Sequence, residues 1–95
     1  MTLSLAGHAL DIDDVGVRLD GREVAIGATA RALLIRLAAE PGRVVSRDDL
    51  LVVLPSAGRA GGHAVEVAMS RLRVALGDPR IVQTVVKRGY RLALD

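Results

Sequence analysis

Alternating apolar and polar residues in the first quarter of the chain predict a small antiparallel sheet over residues 3–26. The predicted strands are residues 3–5, 9–12, 15–19 and 22–26. In the third strand, Val15, Val17 and Leu19 are expected to lie on one face. Asp20-Gly21 supplies the turn before the fourth strand, because glycine adopts a positive φ at little steric cost.

Apolar residues at helical spacing predict a three-helix core over residues 29–76. The first helix is expected over residues 29–40, with Thr29 as its N-cap, and Pro41-Gly42 ends it. Ser46 is expected to cap a second helix, which Pro55 ends. The two aspartates that follow Ser46 suit the first turn of a helix, where negative charge is favourable.

The third helix is predicted over about residues 63–76 and has two different faces. The face expected to be buried holds Val65, Ala68, Met69, Leu72 and Leu76. The opposite face holds His63, Val67, Ser70, Arg71 and Val74, with Glu66 and Arg73 on a flank. Such a face can offer a guanidinium to a guanine edge and methyl groups to a thymine methyl. An ordinary exposed helix with scattered valines fits the same pattern, so the helix alone leaves both interpretations open.

Residues 81–94 are predicted to form a terminal β-hairpin. Its strands are expected at Ile81–Val86 and Tyr90–Leu94, with Lys87-Arg88-Gly89 as the turn. Hairpin tips are usually polar, so two cations there are compatible with a plain surface turn. A basic tip beside a helix is also what a wing needs to reach phosphates or a minor groove.

The charge distribution is consistent with a polyanionic partner. Residues 1–55 carry six arginines against eight acidic residues, whereas residues 56–95 carry seven cations against three acids. A basic half is the electrostatic footprint expected of a nucleic-acid-binding domain. An unevenly charged, solvated surface explains the same numbers about equally well.

The composition argues against several other classes of protein. There is no cysteine, which excludes disulfides and thiolate metal sites. No Ser/His/Asp set is visible, and His8 and His63 lie in different elements, so we expect no enzyme activity, no cofactor and no metal. No apolar run approaches the ~20 residues that cross a bilayer, and no signal peptide precedes the first strand. We therefore expect a cytoplasmic protein that neither spans nor binds a membrane.

Two long segments resemble the recognition helix and wing of OmpR/PhoB-type winged-helix DNA-binding domains of bacterial response regulators. They are Val65–Leu76 and Ile81–Leu92. Val45–Leu51 is similar to the second helix of that family, and Leu33-Leu34 with Pro41–Val45 to its first helix and exit. The match covers nearly the whole chain and is specific only in combination.

The resemblance implies an α+β fold in which residues 1–95 form a single winged helix-turn-helix domain. The third helix would enter the major groove, and the wing at residues 86–90 would reach the backbone or the minor groove. Arg71 resembles the base-contacting arginine of the family. The implied DNA-binding residues are His63, Glu66, Val67, Ser70, Arg71, Arg73, Thr84, Lys87, Arg88 and Tyr90. Among them Arg73 and Thr84 correspond to positions near phosphates.

The chain departs from the family pattern at several positions. His63-Ala64 replaces an Arg-Thr pair at the start of the third helix, and Ser70 replaces a basic or polar residue. Val86 stands where the wing usually carries its minor-groove arginine, and Lys87 or Arg88 could substitute from a shifted position. A tryptophan that often ends the second helix is missing around Leu54-Pro55. We expect narrower base reading and lower affinity than in typical members.

The resemblance also implies partners. Double-stranded DNA is the expected ligand, in transcription regulation within a two-component system, with RNA polymerase contacted through the 55–62 loop and a head-to-tail dimer on DNA. The sequence at Leu54-Pro55, Gly62–Val67 and Gln83–Tyr90 resembles a C-terminal segment fused to uroporphyrinogen-III-synthase-like enzymes. A winged helix that docks on a protein through Val67 and Val74 is the alternative. Any switching input must come from another domain.

Overall fold

A computed structural model describes residues 1–55 and 61–95. Within these residues, four strands form an antiparallel sheet in the order β1-β2-β3-β4. The strands are β1 Thr2–Leu5, β2 His8–Ile12, β3 Val17–Leu19 and β4 Arg22–Glu23. Three helices and a hairpin follow: α1 Ala28–Ala39, α2 Arg47–Val53, α3 Ala64–Leu76, β5 Val82–Val85 and β6 Gly89–Leu92. This order confirms the predicted α+β winged-helix architecture.

The third strand begins later than predicted, because an aspartate side chain turns the backbone before it. The Asp13 carboxylate accepts the backbone N–H groups of Val15 at 2.9 Å and Gly16 at 3.1 Å. Val15 is therefore 86% exposed and lies before β3, so the prediction that it shares one strand face with Val17 and Leu19 was wrong. The fourth strand was also predicted too long, although the N–H of Val24 still donates to the Val17 carbonyl oxygen at 2.8 Å.

The first two helices differ in how they begin. Thr29 was predicted to cap α1, but it lies inside the helix and Gly27 holds the N-cap position in an extended conformation. The predicted Thr29 cap was therefore wrong. The Ser46 cap of α2 is confirmed, because its hydroxyl oxygen accepts the N–H of Asp49 at 3.1 Å. An extended Leu54 ends α2 just before Pro55.

The third helix and the hairpin follow the predicted pattern closely. Gly77 caps the C-terminus of α3 with φ +77°, as expected for the left-handed position. His63 holds the N-cap position and makes no capping bond with its side chain. The hairpin strands are shorter than predicted. The turn was predicted at residues 87–89 but lies at 86–88, with Lys87 at φ +64°, because Gly89 pairs with Val85 and begins β6.

The core is aliphatic throughout and centres on α1, which packs against α3, α2 and β6. The predicted buried face of α3 is confirmed, because Val65, Ala68, Met69, Leu72 and Leu76 are all at most 4% exposed. No charged or polar side chain is buried in the part of the chain that the structure describes. No helix in residues 1–55 or 61–95 is long and apolar enough to cross a membrane.

The end of the hairpin is fastened to the N-terminal sheet. The N–H of Ala6 donates to the Ala93 carbonyl oxygen at 3.0 Å, and the N–H of Asp95 donates to that of Ser4 at 3.1 Å. The Asp95 carboxylate accepts the Ser4 hydroxyl at 2.7 Å and the Gly7 N–H at 3.0 Å. The sheet therefore supports the base of the hairpin, while its turn projects away.

Candidate nucleic-acid interface

The outward face of α3 carries an unpaired cation between two exposed valines. Val67 is 47% exposed and Val74 is 79% exposed. Arg71 lies between them at helical spacing and is exposed, as are His63 and Ser70. Among the described residues, no hydrogen bond or ion pair engages the Arg71 side chain. Its donors are available to a ligand.

Glu66 is bound to a neighbouring helix and does not project freely from α3. Nε of Arg47 on α2 donates to one carboxylate oxygen at 2.8 Å, and an Arg47 terminal nitrogen donates to the other at 3.1 Å. The same terminal nitrogen donates to the Gly62 carbonyl oxygen at 2.7 Å. The Arg47 guanidinium also holds the pKa of the Glu66 carboxyl below its usual range. This bidentate pair fastens the start of α3 to α2.

Arg73 connects the other half of α3 to the hairpin. Its Nη2 donates to the Val82 carbonyl oxygen at 2.9 Å and to the Thr84 hydroxyl at 2.8 Å. Its Cζ lies 5.8 Å from the centre of the Tyr90 ring, within cation–π range. The structure therefore brings together three residues predicted to bind DNA, Arg73, Thr84 and Tyr90, in one helix–wing junction.

A second attachment holds the hairpin to the residue just before the Ser46 cap. The N–H of Val45 donates to the Tyr90 carbonyl oxygen at 2.8 Å, and the N–H of Tyr90 donates to the Val45 carbonyl oxygen at 3.0 Å. This approach requires Gly89, because an added Cβ there would lie 2.0 Å from the Val45 oxygen. Gly89 also has φ +143°, a conformation that residues with a side chain rarely adopt.

The turn of the hairpin is the exposed tip of the wing. Val86, Lys87 and Arg88 are all exposed, and no hydrogen bond or ion pair of the described residues involves either cationic side chain. The N–H of Arg88 donates to the Val85 carbonyl oxygen at 2.9 Å, which closes the turn. Val86, at 76% exposure, occupies the place where the family resemblance implied an arginine.

Shallow clefts border these elements, and two of them are lined by Arg71 or by the cations of the wing tip. One, of about 400 Å³, lies between the start of α2 and the wing and is lined by Arg47, Thr84, Lys87 and Arg88 among others. The other, of about 390 Å³, lies between the start of α1 and the Ser70, Arg71 and Val74 positions of α3. Within residues 1–55 and 61–95, no group of three or more histidine or acidic side chains is placed to hold a metal ion.

A histidine outside this face, at the start of β2, lies between two carboxylates. His8 Nδ1 lies 2.5 Å from an Asp20 oxygen, and its Nε2 lies 2.9 Å from an Asp78 oxygen. A carboxylate only accepts hydrogen bonds, so both contacts form together when the imidazole is doubly protonated. These hydrogen bonds raise the pKa of His8, and the cluster ties the sheet to the loop after α3.

The sequence reasoning missed Arg47, Val45 and the close approach of Gly89. Arg47 and Glu66 lie on different helices, 19 residues apart, so no helical spacing marks them as partners. The resemblance had included Val45-Ser46-Arg47 only as part of a helix motif. The predicted contact of RNA polymerase with the 55–62 loop concerns residues 56–60, which lie outside the described residues.

The chain matches a family model described as "Transcriptional regulatory protein, C terminal" over residues 21–92. The transcriptional regulatory protein CseB of Streptomyces coelicolor is 39% identical over 91 residues, which are 95% of this chain and 38% of that protein. Protein PetR of Rhodobacter capsulatus is 34% identical over 103 residues, covering 98% of this chain and 44% of its own length. The chain thus spans less than half the length of these relatives.

Solved structures show the same fold. The DNA-binding domain of Klebsiella pneumoniae RstA, in complex with the RstA box, has a TM-score of 0.74 and 30% identity, covering 97% of this chain and 96% of that one. The DNA-binding domain of CpxR from E. coli has a TM-score of 0.74 and 29% identity, covering 99% and 97%.

Proposed function

This chain belongs to the family of transcriptional regulatory protein C-terminal domains, and we propose that it binds double-stranded DNA sequence-specifically in transcription regulation. In this proposal α3 lies in the major groove, and the wing contacts the backbone or the minor groove beside it. An α-helix with its side chains is about as wide as the major groove of B-DNA. Family membership confirms the expected class, a regulatory module and not an enzyme.

The observation that carries the proposal is the exposed Arg71 guanidinium, which pairs with no group in residues 1–55 or 61–95, on a helix whose one acid is already paired. Glu66, the one acid on α3, is neutralised by Arg47, so it neither repels a phosphate nor competes for Arg71. A guanidinium in the middle of such a face can donate two hydrogen bonds to guanine O6 and N7. The adjacent Val67 methyl groups suit contact with a thymine methyl.

The tip of the wing supplies the sequence-independent part of binding. Lys87 and Arg88 are exposed and have no partner among the described residues, and the cleft between the wing and α2 opens beside them. Cations on a projecting turn bind phosphates at many sequences. Because Val86 replaces the arginine of the family, we assign minor-groove reading a smaller share here.

A binding-site selection from random duplexes, followed by titration of the selected duplex, tests this division. We expect Arg71→Ala to relax the preference at one base pair and to weaken binding by about 1–3 kcal/mol. Lys87→Ala should leave the selected motif unchanged and weaken all duplexes about equally. Arg22→Ala, which removes an exposed arginine on the N-terminal sheet, is the charge-matched control and should change neither.

Salt dependence gives a second measurement. If ~4–6 phosphates are neutralised, log K should fall against log salt with a slope of about −4 to −5, and Lys87→Ala should lower its magnitude by about one. Affinity that barely changes with salt would contradict duplex binding. It would favour the alternative that Val67 and Val74, both exposed, dock on a protein.

Finer expectations remain proposals. They include the single domain over residues 1–95, a cytoplasmic location, a head-to-tail dimer on DNA and contact with RNA polymerase through the 55–62 loop. The named relatives are longer proteins and give no support to a uroporphyrinogen-III-synthase fusion. The sequence of the full gene product tests the fusion directly, and it also tests whether another domain supplies a regulatory input.

A further inference from the structure

The guanidinium of Arg73 is directed at the hairpin and not at solvent alone. Nε and Nη2 both point to the Val82 carbonyl oxygen, at 3.3 and 2.9 Å, and Nη2 also serves the Thr84 hydroxyl. The side chain is half-buried, unlike the exposed Arg71 two residues earlier. The family resemblance placed Arg73 near phosphates, yet its Nε and Nη2 already donate hydrogen bonds within the protein.

The partners of Arg73 span both strands of the wing. Thr84 on β5 and Tyr90 on β6 are direct cross-strand neighbours in the hairpin register. Arg73 bonds the first and lies over the ring of the second. Tyr90 is also the residue whose backbone pairs with Val45. The Arg73 side chain therefore contacts the hairpin at Tyr90, the same residue through which the hairpin is hydrogen-bonded to Val45.

From this geometry we infer that Arg73 is a positioning residue that fixes the wing relative to α3. In that position Lys87 and Arg88 can contact the same duplex as Arg71. The inference rests on the proposed DNA binding and concerns how it is achieved. Beyond the Thr84–Tyr90 pair, only the Val85–Gly89 pair separates the junction from the tip at residues 86–88. A small rotation of the hairpin at the junction therefore moves Lys87 and Arg88 relative to α3.

A direct phosphate contact by Arg73 would have a different signature. A phosphate ligand acts by its own charge, so its loss and the loss of Lys87 would weaken binding independently. Arg73→Lys would keep that charge, because a lysine ammonium is also fully protonated near pH 7. A positioning residue acts through the tip instead, and lysine, with no planar fork, cannot reproduce the bonds to Val82 and Thr84 together with the ring contact.

A double-mutant cycle on the selected duplex separates the two roles. The Kd is measured for the parent, Arg73→Lys, Lys87→Ala and the double variant. We expect Arg73→Lys to weaken binding by on the order of 10-fold. We also expect Lys87→Ala to cost several-fold in the parent but less than about twofold in the Arg73→Lys background, a non-additivity typical of coupled sites.

The matched control is Arg91, an arginine that lies on strand β6 of the hairpin. Its Nε donates to Gln83 on the neighbouring strand at 2.8 Å, so it binds within the hairpin and not across to α3. Arg91→Lys should combine with Lys87→Ala additively. Urea midpoints for every variant establish that each is folded at the temperature of the titration, and Thr84→Val, which removes one acceptor of Arg73 and no charge, should also lower the dependence on Lys87.

The outcomes are distinct. If Arg73→Lys and Lys87→Ala combine additively, or if lysine at position 73 restores parental affinity, Arg73 binds phosphate directly and the positioning role is overturned. If the parent selects and binds no duplex, the proposed function itself fails. Non-additivity for Arg73 together with additivity for Arg91 supports the inference.

Discussion

Gly89→Ala should destabilise the wing more than a glycine-to-alanine substitution at any other described position. The new Cβ would lie 2.0 Å from the Val45 carbonyl oxygen and 3.0 Å from the Ser46 Cα. Both atoms are backbone at the start of α2, where Ser46 caps the helix, so neither can move aside cheaply. The hairpin must shift instead, and the two Val45–Tyr90 hydrogen bonds are the contacts it loses.

The magnitude follows from two destabilising contributions and one that partly offsets them. A residue with a side chain at φ +143° costs about 1–3 kcal/mol of backbone strain. Each Val45–Tyr90 hydrogen bond contributes about 0.5–1.5 kcal/mol net. Alanine also loses less conformational freedom on folding than glycine, which returns about 0.4–1 kcal/mol. We therefore expect Gly89→Ala to lower the free energy of unfolding by about 2–5 kcal/mol, a large part of the total for a small domain.

Urea denaturation followed by far-ultraviolet circular dichroism measures the change, with thermal melts as a second readout. A loss of about 2 kcal/mol or more should lower Tm by at least about 8 °C in a domain of this size. Two controls separate strain from collision. Gly21→Ala has φ +81° and no atom within 4 Å, and should cost only about 1–2 kcal/mol; Gly16→Ala has neither feature and should be nearly neutral. If Gly89→Ala melts no lower than Gly21→Ala, the close approach of the wing to Val45 is not real.

Two further outcomes follow from the core and from the histidine cluster. Leu72 is 0% exposed at the centre of α3, so Leu72→Ala should cost about 2–5 kcal/mol; a melt within a degree or two of the parent would show that the buried face is misassigned. Hydrogen bonds to Asp20 and Asp78 raise the pKa of His8 above 6.5, so the protonated form is favoured by folding. This contribution to stability is fully present below pH 6.5 and disappears as pH rises through the folded-state pKa of His8. The urea midpoint of the parent should therefore fall over this pH range, and His8→Asn should remove that pH dependence. If the urea midpoint changes with pH equally in the parent and in His8→Asn, the stabilising role of the His8 cluster is contradicted.

Most of the fold could be predicted from local signals. The left-handed cap at Gly77 and the hydroxyl cap at Ser46 each depend on a few neighbouring residues, and both are confirmed. The buried face of α3 follows from helical periodicity alone. The errors occurred where a side chain competes with regular structure, as at Val15, where Asp13 bonds the backbone, and at Thr29, where Gly27 takes the cap position.

The interface was predicted less completely, because its contacts join distant parts of the chain. Helical position correctly indicated that Arg71 and Val67 face outward. It could not show that Glu66 is paired with Arg47, or that Arg73 is engaged by the hairpin, because both partners lie on other elements. Three charged residues on one helix, similar in sequence terms, therefore have different environments. Their roles on DNA stay predictions.

The position of Tyr90 has a spectroscopic consequence. It is the only aromatic residue among the 95, and it lies in the helix–wing junction under the Arg73 guanidinium. All near-ultraviolet absorption and intrinsic emission of the side chains therefore comes from that one place, while the aliphatic core is silent. Unlabelled protein can thus report detachment of the wing separately from loss of helices. Coincident transitions by tyrosine emission and by circular dichroism would indicate one cooperative unit, and an earlier tyrosine transition would mark a wing that opens before the core.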